Sequence, residues 1–163
     1  MFKSSKLLIL DLDETLIHYC CEWIGRPPNF LAANQIIFTR PFTDEFLNYA
    51  FHHFDIAVWS AASGKYFVEV MDVLIPSFHE IIFAWDREKC IPFKNGNKIE
   101  FYKDLDQIRD LGYKTNNVYI IDDKPENYIN ISQENLIPAQ PYWGDSSDAA
   151  LFDIILALKA QKG

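Results

Sequence analysis

Cysteine is scarce in this chain. Cys20, Cys21 and Cys90 are the only three among 163 residues, and they form neither a CxxC pair nor an even-numbered set. A disulfide scaffold is thereby excluded, and a reducing compartment is expected: the cytoplasm, or the nucleus in a eukaryote. Long apolar runs are missing as well. Leu7 to Leu10, with Phe2 nearby, leads directly into charge. That run is too short for a signal peptide or a membrane span, so no membrane is expected as a partner. Basic residues are outnumbered, 15 Lys and Arg against 23 Asp and Glu, which leaves a net charge of −8. Such a balance argues against direct nucleic-acid binding through backbone charge, although a phosphorylated partner remains open if a metal or a local basic group masks the field. With 6 Gly and 8 Pro the chain is neither collagen-like nor low-complexity. No repeat of roughly 20 to 50 residues is present, and no linker divides the sequence.

What is present is a globular composition, 49% hydrophobic and 15% aromatic. A chain of this length buries roughly 70% of its unfolded surface, enough for a core without staples. One domain over residues 1–163 is expected, as a monomer.

Short β-rich apolar runs alternate with helix-like stretches, the pattern of an α/β fold in which a parallel sheet carries helices on both faces. Strands are expected at Leu7–Leu10, Ile36–Phe38, Ile56–Trp59, Ile81–Ala84, Val118–Ile121 and Asn135–Pro138. Glu45–Phe51 reads as a helix with Thr43 or Asp44 as its N-cap, and Gly64–Leu74 as an amphipathic helix closed by Pro76. Lys94–Lys98 is a turn, leading into a small hairpin whose far side is Ile99–Tyr102. Asp104–Leu111 is a short helix capped by Gly112, and Ala149–Ala160 is the terminal helix.

In open α/β sheets, ligands bind beyond the carboxyl ends of the strands. Here those ends carry Asp11-Leu12-Asp13-Glu14-Thr15, then Ser60, then Asp122-Asp123, while Lys103 follows the Ile99–Tyr102 run. Asp11 and Asp13, two apart, start on the same side of an extended segment. Carboxylates gathered this closely repel unless a cation joins them, and an all-oxygen set suits Mg²⁺. Strand-end Asp residues also cap loops, and a strand-end Ser also forms turns, so each residue alone says little.

The ordered set says more. Asp11-Leu12-Asp13-Glu14-Thr15-Leu16 is similar to the DxDxT motif of the haloacid dehalogenase superfamily, and Ser60, Lys103 and Asp122-Asp123 fall in the order of its second, third and fourth motifs. More narrowly, the chain resembles the FCP/SCP-like phosphatases that act on the C-terminal domain of RNA polymerase II. Residues Asp11 to His18, Arg40-Pro41, Asp44 to Leu47, Lys65-Tyr66, Arg87-Glu88 with Cys90, and Tyr102 to Leu105 carry that likeness, which spans about residues 7–145. Two departures stand out: Ser60 replaces a common Thr, and Asp122-Asp123 replaces a common Asp-Asn.

The resemblance implies a doubly wound, Rossmann-like fold and an Mg²⁺-dependent phosphatase, acting on a phosphoprotein at Ser or Thr through an aspartyl-phosphate. It implies Asp11 as nucleophile, Asp13 as proton donor and then base, Ser60 and Lys103 as phosphate-binding groups, and Asp122 as a group that orients Lys103 or a water. Thr15, the Ala61 backbone and Arg87 would contact the substrate, and the Asp11 side chain, the Asp13 carbonyl and Asp123 would hold the metal. For Arg87 a surface ion pair with Asp86 or Glu88 is the competing reading. Trp23, Phe30, Trp59 and Trp85 could line a groove or simply fill the core. His18 and Cys90 are read as structural.

The spacing from Thr15 to Ser60 and on to Lys103 leaves no room for a large cap domain, so an open site and a large substrate are expected. The alternatives are a phosphatase for small molecules or nucleic-acid ends, and a phosphate-accepting signalling or binding module. A receiver-type module places no acidic pair after its Lys, whereas Asp122-Asp123 follows Lys103.

Overall fold

A computed structural model describes residues 6–75 and 79–160. In chain order its elements are β1 (Leu7–Leu10), β2 (Ile17–Cys20), β3 (Phe30–Ala32), β4 (Gln35–Thr39), α1 (Thr43–His53), β5 (Asp55–Trp59), α2 (Gly64–Leu74), β6 (Ala84–Trp85), β7 (Ile91–Asn95), β8 (Lys98–Asp104), β9 (Val118–Asp122), β10 (Tyr128–Ile129), β11 (Leu136–Pro138) and α3 (Ala150–Ala160). Among the described residues no helix is long and apolar enough to cross a membrane.

Five strands form a parallel sheet in the order β11-β9-β1-β5-β6. β1 lies at its centre, paired with β5 and β9. Alternating side chains divide between two cores, as the two-residue period of a strand requires. Leu8, Leu10, Ile56, Val58 and Ile121 face the buried sides of α1, α2 and α3. Leu7, Ile9, Ala57, Trp59, Val118 and Ile120 face the opposite core, where Leu105 and Ile108 of a 3₁₀ helix at Leu105–Leu111 pack with Phe83, Cys90 and Tyr128. Helices therefore cover both faces, three α-helices on one and a 3₁₀ helix on the other.

Two smaller sheets flank this layer. β2-β4-β3 is antiparallel, and β10-β8-β7 contains the expected hairpin, with Gly96 at φ 59 opening the two-residue loop between β7 and β8. No large cap is evident among the described residues.

Several expectations need correction. Ile36–Phe38 is a strand, but it belongs to the β2-β4-β3 sheet. β2 and β3 were not legible, because the β3–β4 loop, Ala33-Asn34, contains no glycine although both residues have positive φ. The run Ile81–Ala84 lies along β5, with Ile82 N–H donating to the Ile56 carbonyl and Val58 N–H to that of Phe83, but a regular ladder forms only at Ala84–Trp85. The α1 N-cap is Phe42, in the left-handed region, rather than Thr43 or Asp44. Thr43 starts the helix, and its hydroxyl donates back to the Arg40 carbonyl at 2.7 Å. The short helix expected at Asp104–Leu111 is present, as a 3₁₀ helix over Leu105–Leu111 closed by Gly112. Pro76 lies outside the described residues.

Candidate active site

Asp11 is the first residue beyond β1, and its N–H donates to the Ile121 carbonyl, which locks it beside the end of β9. Asp122 ends β9, and Lys103, near the end of β8, reaches in from the flanking sheet. The Lys103 ammonium donates to Asp11 Oδ1 at 2.8 Å, Asp122 Oδ2 at 2.6 Å and the Tyr128 hydroxyl at 3.1 Å. An ammonium has three N–H bonds, so all its donors are used. All three charged groups are buried. Burial opposes the charge of Lys103, but Asp11, Tyr128 and Asp122 override it and hold the ammonium well above the usual lysine range. Burial and the Asp122 carboxylate push Asp11 upward, against the pull of Lys103.

Asp13 lines the same opening, and its Oδ1 accepts a short hydrogen bond from the hydroxyl of Tyr66 on α2. Burial raises the Asp13 carboxyl, opposed by the Tyr66 hydrogen bond and by the charges of Lys103, Lys124 and Arg87. Ser60 follows β5; its Oγ accepts from Ala62 N–H at 3.0 Å, a turn-forming bond that leaves the hydroxyl hydrogen to donate into the cleft. Arg87 Nε donates to the Ala61 carbonyl at 2.6 Å, and its guanidinium lies over the Phe101 ring, 4.6 Å from the centroid. Ala61 and Arg87 both border the cleft. Thr15 does not reach it. That residue is fully buried, and its Oγ accepts from Asp123 N–H at 3.0 Å, so it braces the second acidic loop.

Oxygens of Asp11, Asp122 and Asp123 lie within 4.8 Å of one another. Asp123 Oδ2 is buried without a hydrogen-bond partner. Burial and Asp122 raise the Asp123 carboxyl, so this set gains by admitting a cation. Three oxygen donors and an unpartnered buried carboxylate oxygen fit a hard divalent ion such as Mg²⁺.

The cleft, of about 850 Å³, is also lined by Tyr19, Gln35, Ile99, Phe101, Lys124 and Trp143. Of the aromatics raised by the sequence, Trp59 is core, Trp85 stacks on Phe83, and Trp23 is exposed; none of the three borders the cleft. Phe30 packs against the core under the α-helices. Cys90 is buried, and burial pushes its thiol upward. Glu14, at φ 62, bonds through its carboxylate to His18 Nδ1 at 2.9 Å. Burial, Asp13 and Asp123 push Glu14 up to about 8, and burial lowers His18. The contact has the geometry of an ion pair, but both shifts run against its charged form.

Sequence reasoning missed Tyr66 and Tyr128 as neighbours of the reacting groups. Tyr66 had a signal, its place in the Lys65-Tyr66 match. Tyr128 had none, since it meets Lys103 only through the pairing of β10 with β8.

The profile of NLI interacting factor-like phosphatases matches residues 6–162. The chain is 33% identical over 170 residues to CTD small phosphatase-like protein 1 of Caenorhabditis elegans, which covers 98% of this chain and 32% of that protein. It is 32% identical over 162 residues to the human CTD small phosphatase-like protein, covering 93% and 54% respectively. The chain thus spans about a third to a half of the length of such relatives. In fold it is similar to fission yeast Fcp1, an RNA polymerase II CTD phosphatase, with a TM-score of 0.61 at 21% identity over 96% of this chain and 52% of that one. From its sequence, its sheet and the matched span, the chain belongs to the NLI interacting factor-like phosphatase family.

Proposed function

We infer that this chain hydrolyses phosphomonoesters, transferring the phosphoryl group to Asp11, and that its substrate is a phosphoprotein modified on Ser or Thr. The observation that carries this reading is the convergence of Asp11, Lys103 and Asp122 at one buried point beside Asp13 and Ser60. The names of its relatives and the open cleft support the protein substrate.

Lys103 holds Asp11 Oδ1, which leaves Oδ2 to attack phosphorus. As the P–O bond to the leaving group breaks, Asp13 gives its proton to the departing oxygen, and an aspartyl-phosphate forms on Asp11. Asp13, now a carboxylate, takes a proton from the water that attacks this acyl phosphate, releasing phosphate and restoring Asp11. Ser60, the Ala61 backbone and Arg87 hold the phosphate oxygens, while Asp122 fixes Lys103. The Asp11 and Asp123 side chains and the Asp13 carbonyl would hold Mg²⁺, with the Asp122 carboxylate beside them. When bound, the ion neutralises the carboxylates and the phosphoryl oxygens.

The test is phosphate release from para-nitrophenyl phosphate with and without Mg²⁺, for the native chain and Asp11→Asn. Mg²⁺-dependent turnover that falls by more than about 10³-fold in the variant is expected. A folded, Mg²⁺-supplied protein that forms a stable adduct on Asp11 without turnover would instead indicate a phosphate-accepting module. Phosphopeptides should exceed sugar phosphates in kcat/KM; the reverse order would overturn the protein-substrate reading.

A further inference from the structure

Asp13 has a partner that the catalytic scheme does not use. Tyr66 sits in the first turns of α2, whose Phe67, Val70 and Leu74 are buried against the sheet, so its Cα is fixed by the core. Its ring packs edge-on against Tyr19 of β2, at 5.8 Å between centroids and 66° between planes. Held from two sides, the ring carries its hydroxyl to Asp13 Oδ1, 53 residues away in the chain. Asp13 follows a strand, but its side chain projects into an open cleft, where a carboxyl group without a partner would sample several rotamers.

We propose that Tyr66 is the positioning residue for the proton donor, fixing Asp13 so that its proton sits on Oδ2 and points at the leaving oxygen. The argument is one of donors and acceptors. A phenol with its proton has a single hydrogen to give, and giving it to Oδ1 makes that oxygen an acceptor. The proton of the neutral carboxyl then resides on Oδ2, the atom left facing the substrate. A misplacement of about 1 Å at a reacting group can cost on the order of 10²-fold, so the hydroxyl acts on rate through Asp13. The proposal rests on the assignment of Asp13 as proton donor.

Proton donation matters only where the leaving group needs a proton. A nitrophenolate departs readily as an anion, whereas phenolate and alkoxide do not. The experiment measures kcat/KM, which reports every step up to departure of the leaving group, for para-nitrophenyl phosphate, phenyl phosphate and a phosphoserine peptide. The native chain is compared with Tyr66→Phe, Tyr66→Leu and Asp13→Asn. Tyr66→Phe is expected to lose about tenfold more on phenyl phosphate and the peptide than on para-nitrophenyl phosphate, and Asp13→Asn about 10²-fold more or beyond. Tyr66→Leu, which also removes the ring, should show the same dependence on leaving group, with any additional loss shared equally by all substrates.

An equal loss on every substrate in Tyr66→Phe, or no loss, while Asp13→Asn remains selective, would overturn the positioning role and leave the donor assignment intact. A uniform loss in Asp13→Asn would overturn the donor assignment and the proposal with it.

Discussion

Lys103 shows how little slack the centre has. Its three donors serve Asp11, Asp122 and Tyr128, and every one of these groups is buried. Replacement by Met keeps the stem but strands two carboxylates, and breaking a buried pair in this way costs about 3–5 kcal/mol. Urea denaturation of Lys103→Met without divalent ions should show that loss. Mg²⁺ should restore part of it, because a cation at the same carboxylates takes over the neutralisation. A variant as stable as the native chain would mean that Asp11 and Asp122 do not share their charge as the geometry requires. Arg40 has a different task. It is fully buried, pairs with both oxygens of Asp148 at 2.7 and 2.9 Å, and donates to the Thr15 carbonyl at 3.0 Å, tying the loop after β1 to the segment before α3. Lys in its place would lose the forked geometry, so Arg40→Lys is not conservative here.

Between β3 and β4 the chain turns through Ala33 and Asn34, both at positive φ, an arrangement that disfavours a residue with a Cβ. Glu69 of α2 compensates by accepting from Ala33 N–H at 2.6 Å, and it also pairs with Lys65 at 3.2 Å. The backbone bond first, then Lys65, lowers the Glu69 carboxyl below its ordinary value. A lowered carboxylate contributes fully above its unfolded value and ceases to contribute as pH falls through the folded one. Amide exchange at Ala33 should therefore lose protection selectively on acidification below the ordinary glutamate range. In Glu69→Gln that acid dependence should disappear. A protection factor at Ala33 that is indifferent to pH in the native protein would show that the ionised Glu69 does not secure the turn. Because β2, β3 and β4 carry Tyr19 and Gln35 to the rim, this turn also shapes the cleft.

If Asp11 and Asp123 hold the Mg²⁺ proposed for them, with Asp122 beside them, the stability of the whole chain is coupled to that ion. An ion bound only by the folded state stabilises it by about 2.7 kcal/mol at a hundredfold excess over Kd. Mg²⁺ should raise the Tm of the native chain in a saturable manner, and Asp123→Asn should weaken the response by removing the carboxylate whose Oδ2 has no hydrogen-bond partner. A native Tm unmoved by Mg²⁺ would count against the metal assignment. The layering explains why the centre can carry such charge. The two apolar cores on either side of the sheet exclude water from beneath it, so Asp11, Ser60 and Asp122 sit where the strands end and the cleft opens.

Apolar runs of four residues marked β1, β5 and β9, because a strand covered on both faces is apolar along nearly its whole length. The residues just beyond those runs were legible for the same reason: each interrupts a buried segment with a polar group, as Asp11, Ser60 and Asp122 do. Gly96 announced the β7–β8 hairpin, whereas the turn at Ala33-Asn34 gave no such sign, and the sheet built around it went unread. Tyr66 beside Asp13, Tyr128 beside Lys103 and Arg40 against Asp148 came into view only with the folded chain. Periodicity and turn chemistry act over a few residues and leave a local mark in the sequence. A hydrogen bond between residues 25 to 108 positions apart depends on strand order and helix placement, which the packing of the entire core sets.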